Sequence, residues 1–186
     1  MILITGGASS GKSQFAERLV MELIEENLGQ VLYIATSQAF DTEMATKIEK
    51  HKQSRPDYWH TNETYHNMGQ LIAQKGHDYN VILLECITTM LSNLLFDEVG
   101  DLPVEQIDFT ELEALLNQQI ERLITACQQS QCEIVIVTNE LGLGVVPENR
   151  LARHFRDIAG NINQRLAQAA DEVHFVVSGI NMKIKG

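Results

Sequence analysis

Positive charge is scarce in this sequence. Its 186 residues include 14 lysines and arginines against 25 aspartates and glutamates, which gives a formal net charge of −11. Proteins that bind nucleic acids in general use a basic surface to neutralise phosphates, so we predict no nucleic-acid partner. A single nucleotide is not excluded, because a few local cations and backbone amides are enough to bind one triphosphate.

Long apolar runs are lacking as well. Hydrophobic residues make up 44% of the chain, but no run approaches the roughly 20 residues that a membrane-spanning helix needs. The segment after Met1 has neither the basic start nor the long apolar core of a signal peptide. We therefore predict a cytoplasmic protein without a membrane span.

Cysteine is rare and shows no paired spacing. The three cysteines, Cys86, Cys127 and Cys132, form no CxxC motif. An odd, unpaired set is typical of reduced thiols, and most such cysteines are small buried apolar residues. Low-complexity tracts, internal repeats and linkers are also absent. A chain of this length is typical of one domain, which we predict over residues 1–186.

What the sequence does contain is a series of short apolar runs separated by helical patterns. The runs are Ile2–Thr5, Val31–Ala35, Val81–Leu84, Ile134–Val137 and Val173–Val177. Because they are continuous rather than alternating, they are typical of strands buried on both faces of a parallel sheet. The helical patterns cover about residues 12–28, 42–52, 109–130 and 150–169. This alternation predicts a three-layer α/β fold with a mostly parallel sheet and helices on both faces.

Two connecting segments have a predicted role of their own. Gly29 follows the first helical pattern and is a candidate C-terminal cap. The acidic segment Asp97–Asp108 contains Gly100 and Pro103, and we predict that it is an exposed loop.

A glycine-rich loop follows the first apolar run. It satisfies the pattern G-x-x-x-x-G-K-[ST] with Gly6, Gly7, Ala8, Ser9, Ser10, Gly11, Lys12 and Ser13. Glycines allow successive N–H groups to turn toward a phosphate chain, and the helix that follows adds its positive end. In this pattern Lys12 contacts the β- and γ-phosphates, and the Ser13 hydroxyl ligates magnesium. The strand before it and the helix after it complete the context, so we predict a P-loop NTPase-like nucleotide-binding catalytic domain.

A P-loop enzyme usually has a second acidic group that holds magnesium at the end of a neighbouring strand. Glu85 ends the run Val81–Leu84 and is the first candidate, and Glu140 after Ile134–Val137 is the second. The alternative is that either carboxylate is only a solvated residue at the mouth of the sheet, because strand ends are often polar.

The stretch from Asp41 to Lys52 contains a histidine in an unusual setting. His51 falls on the inward face of the predicted helix together with Met44 and Ile48. Cations flank it at Lys50, Lys52 and Arg55. A neutral imidazole could act as a nucleophile on phosphorus and split one nucleotidyl transfer into two steps. The alternative is a packed histidine that is satisfied by a backbone carbonyl.

Three arginines lie three residues apart along the last helical pattern, at Arg150, Arg153 and Arg156. They could bind a substrate phosphate or reach the site of a neighbouring subunit. The alternative is a solvated or salt-bridged face that includes Glu148 and Asp157.

Several longer blocks of the sequence are more specific than a P-loop. They are Thr5–Ser13, Leu32–Ser37, His51 to Trp59 with Arg55-Pro56, Leu84–Met90, Val137–Glu140, Val146–Asp157, Ala170–Val173 and Val177–Gly179. Through these blocks the chain resembles the bifunctional adenosylcobinamide kinase / adenosylcobinamide-phosphate guanylyltransferase of cobalamin biosynthesis.

The resemblance implies two reactions on one corrinoid substrate. The first phosphorylates the aminopropanol hydroxyl of adenosylcobinamide with ATP or GTP. The second transfers GMP from GTP onto that phosphate, which gives adenosylcobinamide-GDP and pyrophosphate. In this family a histidine carries the GMP covalently, and the matching position is His51. His51 and Lys12 are thus the expected catalytic residues, with magnesium as cofactor and a homotrimer as the expected assembly.

The nucleotide contacts implied by the resemblance extend beyond the loop. They are residues Gly6 to Ser13 together with Ala35, Thr36, Ser37, Lys52, Gln53, Ser54, Arg55, Glu63 and Glu85. Ser13 and Glu85 are the expected magnesium ligands. Two positions depart from the family pattern: Ser9 stands where many members have arginine, and Lys50-His51 replaces a pair of histidines.

Two other functions are compatible with the P-loop alone. One is a monofunctional kinase of a nucleoside or other small metabolite, in which His51 is structural. The other is a P-loop ATPase or nucleotide-sensing switch that acts on a macromolecule. The acidic charge and the absence of a separate partner-binding domain count against the switch.

Overall fold

The computed structural model of the chain describes residues 1–25, 29–38, 46 and 55–186. The strands in these ranges are β1 (Ile2–Gly6), β2 (Val31–Ala35), β3 (His60–Glu63), β4 (Val81–Glu85), β5 (Glu133–Asn139), β6 (Glu172–Val177) and β7 (Ile180–Lys185). The described α-helices are α1 (Lys12–Glu25), α2 (Met68–Lys75), α3 (Ile87–Val99), α4 (Phe109–Gln129) and α5 (Arg150–Ala169).

Within the described residues, seven strands form one sheet in the order β3-β2-β4-β5-β1-β6-β7. All neighbours pair in parallel except β6 and β7, which are antiparallel. The predicted α/β fold with a mostly parallel sheet is therefore confirmed. All five apolar runs predicted as strands are strands in the structure.

Both faces of the sheet are covered by helices, which explains the continuous apolar runs. On one face, Ala16, Val20 and Ile24 of α1 pack against Ile2 and Ile4 of β1. Helices α2 to α5 pack on the opposite face, where Leu3 of β1 belongs to their core. The middle strands are buried on both sides and therefore cannot alternate apolar with polar residues.

The sequence patterns differ from the structure at several elements. Helix α1 is described to Glu25, while residues 26–28 of the predicted helix and the predicted helix over 42–52 (Thr46 excepted) lie outside the described residues. The predicted loop Asp97–Asp108 is wrong at its start, because α3 continues to the buried Val99. The rest of that segment is mostly exposed and includes the 3₁₀ turn Val104–Gln106.

Strand β7 is the edge strand next to β6, and it also caps a helix. The Lys185 ammonium donates to the carbonyl oxygens of Ala167, Gln168 and Ala170, at 2.9, 2.9 and 2.6 Å. Carbonyls in the last turn of a helix have no partner within the helix, and a lysine also complements the negative end of the helix dipole. One strand residue thereby anchors the end of α5.

Candidate active site

The carboxyl ends of four parallel strands meet at one edge of the sheet. Ala35 of β2 lies in register with Glu85 of β4, and Gly6 of β1 lies in register with Asn139 of β5. In α/β sheets this edge is where ligands bind. It carries the glycine-rich loop at the end of β1.

The glycine-rich loop turns tightly between β1 and α1, and two glycines are required for it. A Cβ on Gly6 would lie 2.3 Å from the Val176 carbonyl oxygen, so no larger residue fits there. Gly11 has a φ of 92°, a conformation that glycine adopts readily. Ser9 also has a positive φ, 54°, and the Ser10 carbonyl accepts from Gly179 N at 2.8 Å. The loop is therefore also held by a hydrogen bond from Gly179, a residue outside it.

Lys12 stands where this loop passes into α1 and is almost completely buried, with 7% of its surface exposed. Its ammonium donates to the Gly7 carbonyl oxygen at 2.6 Å. Burial lowers the pKa of Lys12, while Cys86 and Glu85 oppose that effect. A desolvated cation surrounded by loop N–H groups is well suited to bind phosphate charge.

Ser13 and Glu85 are in contact at the edge where the carboxyl ends of the strands meet. The Ser13 hydroxyl donates to one oxygen of the Glu85 carboxylate. The Tyr33 hydroxyl donates to the other oxygen at 2.8 Å. Burial and the nearby Glu85 raise the pKa of the Tyr33 hydroxyl, so it remains a donor at neutral pH. The carboxylate is thus held from two sides.

This pair fits the magnesium ion that a P-loop nucleotide requires. A serine hydroxyl and a carboxylate are hard oxygen donors, and magnesium is usually bound by one or two such groups together with substrate phosphates and water. Among the described residues, no group of three or more His, Cys, Asp or Glu side chains could hold a metal by itself. Substrate phosphates and water would complete the coordination of such an ion.

Glu140, the second candidate, does not face the cavity beside the loop. Its carboxylate accepts from its own loop, from Gly142 N at 2.6 Å. The cavity has a volume of about 710 Å³ and is lined by Ala8, Ser9, Ser10, Gly11, Lys12, Ser13, Gln14, Ser37, Glu85, Cys86, Thr89, Val137 and Asn139. Of the two acids, only Glu85 lies in that lining.

We expect Glu85→Gln to raise the magnesium concentration for half-maximal activity by on the order of 10-fold or more, because a neutral amide is a weaker ligand. Initial rates over a magnesium series measure this effect. Glu140→Gln is the matched control and should leave the series unchanged. An unchanged magnesium dependence in Glu85→Gln, with activity intact, would contradict the assignment.

The segment after β2 is fixed to the start of α3 by one threonine. Thr36 Oγ1 donates to the Cys86 carbonyl at 2.9 Å and accepts from Cys86 N at 2.8 Å. The Thr36 carbonyl accepts from the Asn93 amide at 2.8 Å. The predicted nucleotide residues Ala35 and Thr36 are thus buried and shape the edge of the site, while Ser37 reaches the cavity.

A second, smaller cavity adjoins β2 and β3. It has a volume of about 350 Å³ and is lined by Arg55, Pro56, Asp57, Trp59, Thr61 and Glu63. The Arg55 guanidinium carbon lies 3.4 Å from the centre of the Tyr33 ring. Two predicted nucleotide contacts, Arg55 and Glu63, thus share a cavity that is separate from the loop.

Glu17 lies one helical turn after Ser13, and sequence reasoning missed it. Burial, together with repulsion from Glu85, raises the pKa of Glu17 to about 7, while Arg55 opposes the shift. The raised pKa means that the folded protein disfavours the ionised form. Ionisation of Glu17 therefore lowers the free energy of unfolding. The loss is absent below the ordinary pKa of 4.5 and grows until the pH passes about 7.

We expect Glu17→Gln to stabilise the nucleotide-free, magnesium-free protein at pH 8 by about 1 to 2 kcal/mol, after allowing for solvent screening. The gain should shrink as the pH falls from 7 toward 4.5. Denaturant unfolding at a series of pH values measures it. Glu22→Gln, on the exposed side of the same helix, should give no such pH-dependent gain. Equal stability of Glu17→Gln and wild type at pH 8 would refute the explanation.

The three arginines of α5 have partners in the structure. Arg153 donates to the carbonyls of Pro147, at 3.0 Å, and Glu148. Arg156 forms an ion pair with Asp157 at 3.3 Å. Arg150 lies over the Phe109 ring at 5.2 Å. These contacts correspond to the salt-bridged alternative for Arg156 and give Arg153 a role in shaping the loop before α5.

The remaining predicted residues lie outside the described ones: His51, Lys52, Gln53 and Ser54. Besides Glu17, the residues near the site that sequence reasoning missed include Tyr33, Cys86, Thr89 and Asn139. The sequence could have indicated Tyr33, because a hydroxyl within a continuous apolar strand needs a buried hydrogen-bond acceptor.

A protein-family profile described as cobinamide kinase / cobinamide phosphate guanyltransferase matches residues 2–184. The bifunctional adenosylcobalamin biosynthesis protein CobU of Escherichia coli is 54% identical over 185 residues, which cover 100% of this chain and 99% of that protein. CobU of Salmonella typhimurium is 55% identical over the same shares. CobP of Pseudomonas aeruginosa is 37% identical over 99% of this chain and 96% of that protein.

Among solved structures, the flagellar accessory protein FlaH of Methanocaldococcus jannaschii aligns with a TM-score of 0.48 and 14% identity. The alignment covers 99% of this chain and 77% of FlaH. A likeness at this level carries no argument about function. In the part of the chain that the structure describes, no helix has the length and apolarity to cross a membrane.

Proposed function

Because the chain belongs to the cobinamide kinase / cobinamide phosphate guanyltransferase family, we propose that it carries out both reactions of that name. It first transfers a phosphoryl group from ATP or GTP to the hydroxyl of adenosylcobinamide. It then transfers GMP from GTP to the new phosphate and releases pyrophosphate. The proposal includes one domain over residues 1–186 that serves both steps.

The observation that supports this proposal most is the assembly of Lys12, Ser13 and Glu85 at one strand-end edge. It lies in a chain that matches the family over residues 2–184. The assembly offers a buried cation, loop N–H groups and two hard oxygen donors beside one cavity. These are the groups that phosphoryl transfer requires, because its catalysis is mainly positioning and charge stabilisation.

In the kinase step, the substrate hydroxyl oxygen forms a bond to the γ-phosphorus while the bond to the β–γ bridging oxygen breaks. The nucleoside diphosphate leaves, and the hydroxyl proton passes to solvent. Lys12 and the N–H groups of residues Gly6 to Ser13 stabilise the charge on the phosphate oxygens. Ser13 and Glu85 would hold magnesium, which would supply further positive charge to the phosphate oxygens.

In the guanylyl step, a ring nitrogen of His51 bonds to the α-phosphorus of GTP, and the bond to the α–β bridging oxygen breaks to release pyrophosphate. A phosphate oxygen of the corrinoid then bonds to the same phosphorus while the P–N bond breaks. The histidine is regenerated and adenosylcobinamide-GDP is formed. The support for His51 is the resemblance, which places it at the histidine that carries GMP in the family, and the cations around it in sequence.

The same proposal covers the wider nucleotide site and the assembly. Ala35, Thr36, Ser37, Glu63 and the segment Lys52 to Arg55 are proposed to complete the nucleotide contacts. A homotrimer is proposed on the family resemblance alone, and sedimentation equilibrium would measure it. The use of ATP and GTP supports a cytoplasmic location.

The test is product analysis with adenosylcobinamide and GTP. We expect adenosylcobinamide phosphate to appear first, followed by adenosylcobinamide-GDP and one pyrophosphate per molecule formed. A reaction that stops at the phosphorylated corrinoid would indicate a monofunctional kinase. Nucleotide hydrolysis that needs a protein or nucleic acid, without a corrinoid product, would indicate a switch instead.

A further inference from the structure

Tyr33 touches both parts of the candidate nucleotide site although it lies inside a buried strand. Only 2% of its surface is exposed. Its hydroxyl donates to Glu85 Oε2 at 2.8 Å, while Glu85 Oε1 accepts from the Ser13 hydroxyl. One carboxylate oxygen is therefore fixed by Tyr33, and the other points to the proposed magnesium ligand. The orientation of Glu85 depends on this hydroxyl.

The aromatic face of the same residue supports a cation. The Arg55 guanidinium carbon lies 3.4 Å from the ring centre, well within the range of a cation–π contact. Arg55 Nε and Nη1 are buried, and neither has a hydrogen-bond partner among the described residues. A guanidinium stays charged at any working pH, and Arg55 lines the smaller cavity, so it offers positive charge to an anion bound there. The ring fixes the plane of the guanidinium.

We propose that Tyr33 is a positioning residue that aligns two separate nucleotide-binding groups, the Glu85 carboxylate through its hydroxyl and the Arg55 guanidinium through its ring. The inference rests on the proposed function, because it assumes that both groups act on a nucleotide. It goes beyond the proposed function, which names only the groups that touch the nucleotide. Here a residue without contact to the nucleotide sets the geometry of two that have it.

The two contacts of Tyr33 can be separated by substitution. Tyr33→Phe removes the hydrogen bond to Glu85 and keeps the ring under Arg55. Tyr33→Leu removes both contacts, and Tyr33→Met is a second variant of this kind should the leucine variant fail to fold. Tyr79→Phe is the matched control, because Tyr79 also bonds through its hydroxyl, to His60 Nδ1 at 3.0 Å, and lines neither cavity.

The measurement is the affinity for a non-hydrolysable GTP analogue, by calorimetry, over a magnesium series and in EDTA. Trp59, the single tryptophan, stacks 6.5 Å from the Tyr33 ring, so its fluorescence gives a second signal. For Tyr33→Phe we expect the magnesium concentration for half-maximal binding to rise by about 10- to 100-fold, the usual effect of losing a partner of a metal ligand. Its affinity in EDTA should stay unchanged.

For Tyr33→Leu we expect the same magnesium effect and, in addition, an affinity in EDTA that is lower by about 3- to 30-fold, the range of a cation–π contact. Arg55→Ala should lower the affinity in EDTA in the wild type and add little in Tyr33→Leu, because the two substitutions remove one shared contact. Such non-additivity would not arise if Tyr33 were only a packing residue. Thermal unfolding of each variant checks that it is folded.

Two results would overturn the inference. If Tyr33→Phe keeps the magnesium dependence of the wild type, the hydroxyl does not position Glu85. If Tyr33→Leu and Tyr33→Phe bind equally in EDTA, the ring does not position Arg55. A failure of the proposed function looks different, because the wild-type protein would then bind the GTP analogue weakly with or without magnesium.

Discussion

Lys12→Ala is expected to lower both cobinamide phosphorylation and guanylyl transfer by at least about 100-fold, the usual effect of losing a preorganised charge contact. Lys12 is the one cation among the described residues that line the larger cavity. Its ammonium donates to the Gly7 carbonyl at 2.6 Å, which fixes its position beside that cavity. Both reactions bind a triphosphate whose charge Lys12 neutralises, so the rates of both should fall. Steady-state rates for each half-reaction measure the effect.

Stability should not account for that loss. Burial lowers the pKa of Lys12, which means that the charged form costs free energy in the folded state. Lys12→Met, which keeps the aliphatic stem, is therefore expected to unfold at the same temperature as the wild type or higher, while it loses activity like the alanine variant. Lys75→Ala removes an exposed lysine of α2 and serves as the control. Near-normal turnover of Lys12→Ala in both reactions would refute the P-loop assignment.

His51→Ala is expected to separate the two reactions. Covalent guanylylation needs a neutral nucleophile within reach of the α-phosphorus, whereas in the kinase step the substrate hydroxyl attacks phosphorus directly. The variant should therefore lose the GMP–enzyme adduct and the synthesis of adenosylcobinamide-GDP, by more than about 1,000-fold. Phosphorylation of adenosylcobinamide should stay measurable. Radiolabelled GTP and product chromatography follow both reactions in one assay.

The chemistry of the adduct gives an independent check. A phosphoramidate on histidine is labile in acid and stable in base, whereas a serine phosphate ester would not be acid-labile. His77→Ala, at an exposed histidine beside Asp78, should form the adduct as the wild type does. If His51→Ala still accumulates bound GMP, the nucleophile is another residue. If it loses both reactions while folded, the histidine has a shared binding role.

Much of the fold could be predicted from the sequence because its strands carry a strong signal. Strands covered by helices on both faces must be apolar throughout, and such runs are visible without any partner. The loop between β1 and α1 was also predictable, since its pattern reflects local phosphate geometry. Glu85 followed from its position at the end of one of these runs. In each case a local feature determined the structure.

The missed elements are those whose signal depends on the rest of the chain. Helix α3 is buried on nearly all sides, so its sequence shows no polar face and no helical period. Strand β7 is mostly exposed, and its role depends on carbonyls at the end of α5, 15 to 18 residues earlier in the sequence. The shifted pKa of Glu17 has the same origin, because it results from burial against the sheet and from the carboxylate of Glu85, which lies on β4.

The central place of β1 also determines when this site can form during protein synthesis. β1 pairs on one side with β5 and on the other with β6, and the Met1 amino group binds Asp171 across a separation of 170 residues. Translation adds about 5 to 20 residues per second, so β1 leaves the ribosome several seconds before both of its neighbours. During that time the phosphate loop has no sheet to support it. Nucleotide binding is therefore acquired late in synthesis, after β5 and then β6 have paired with β1.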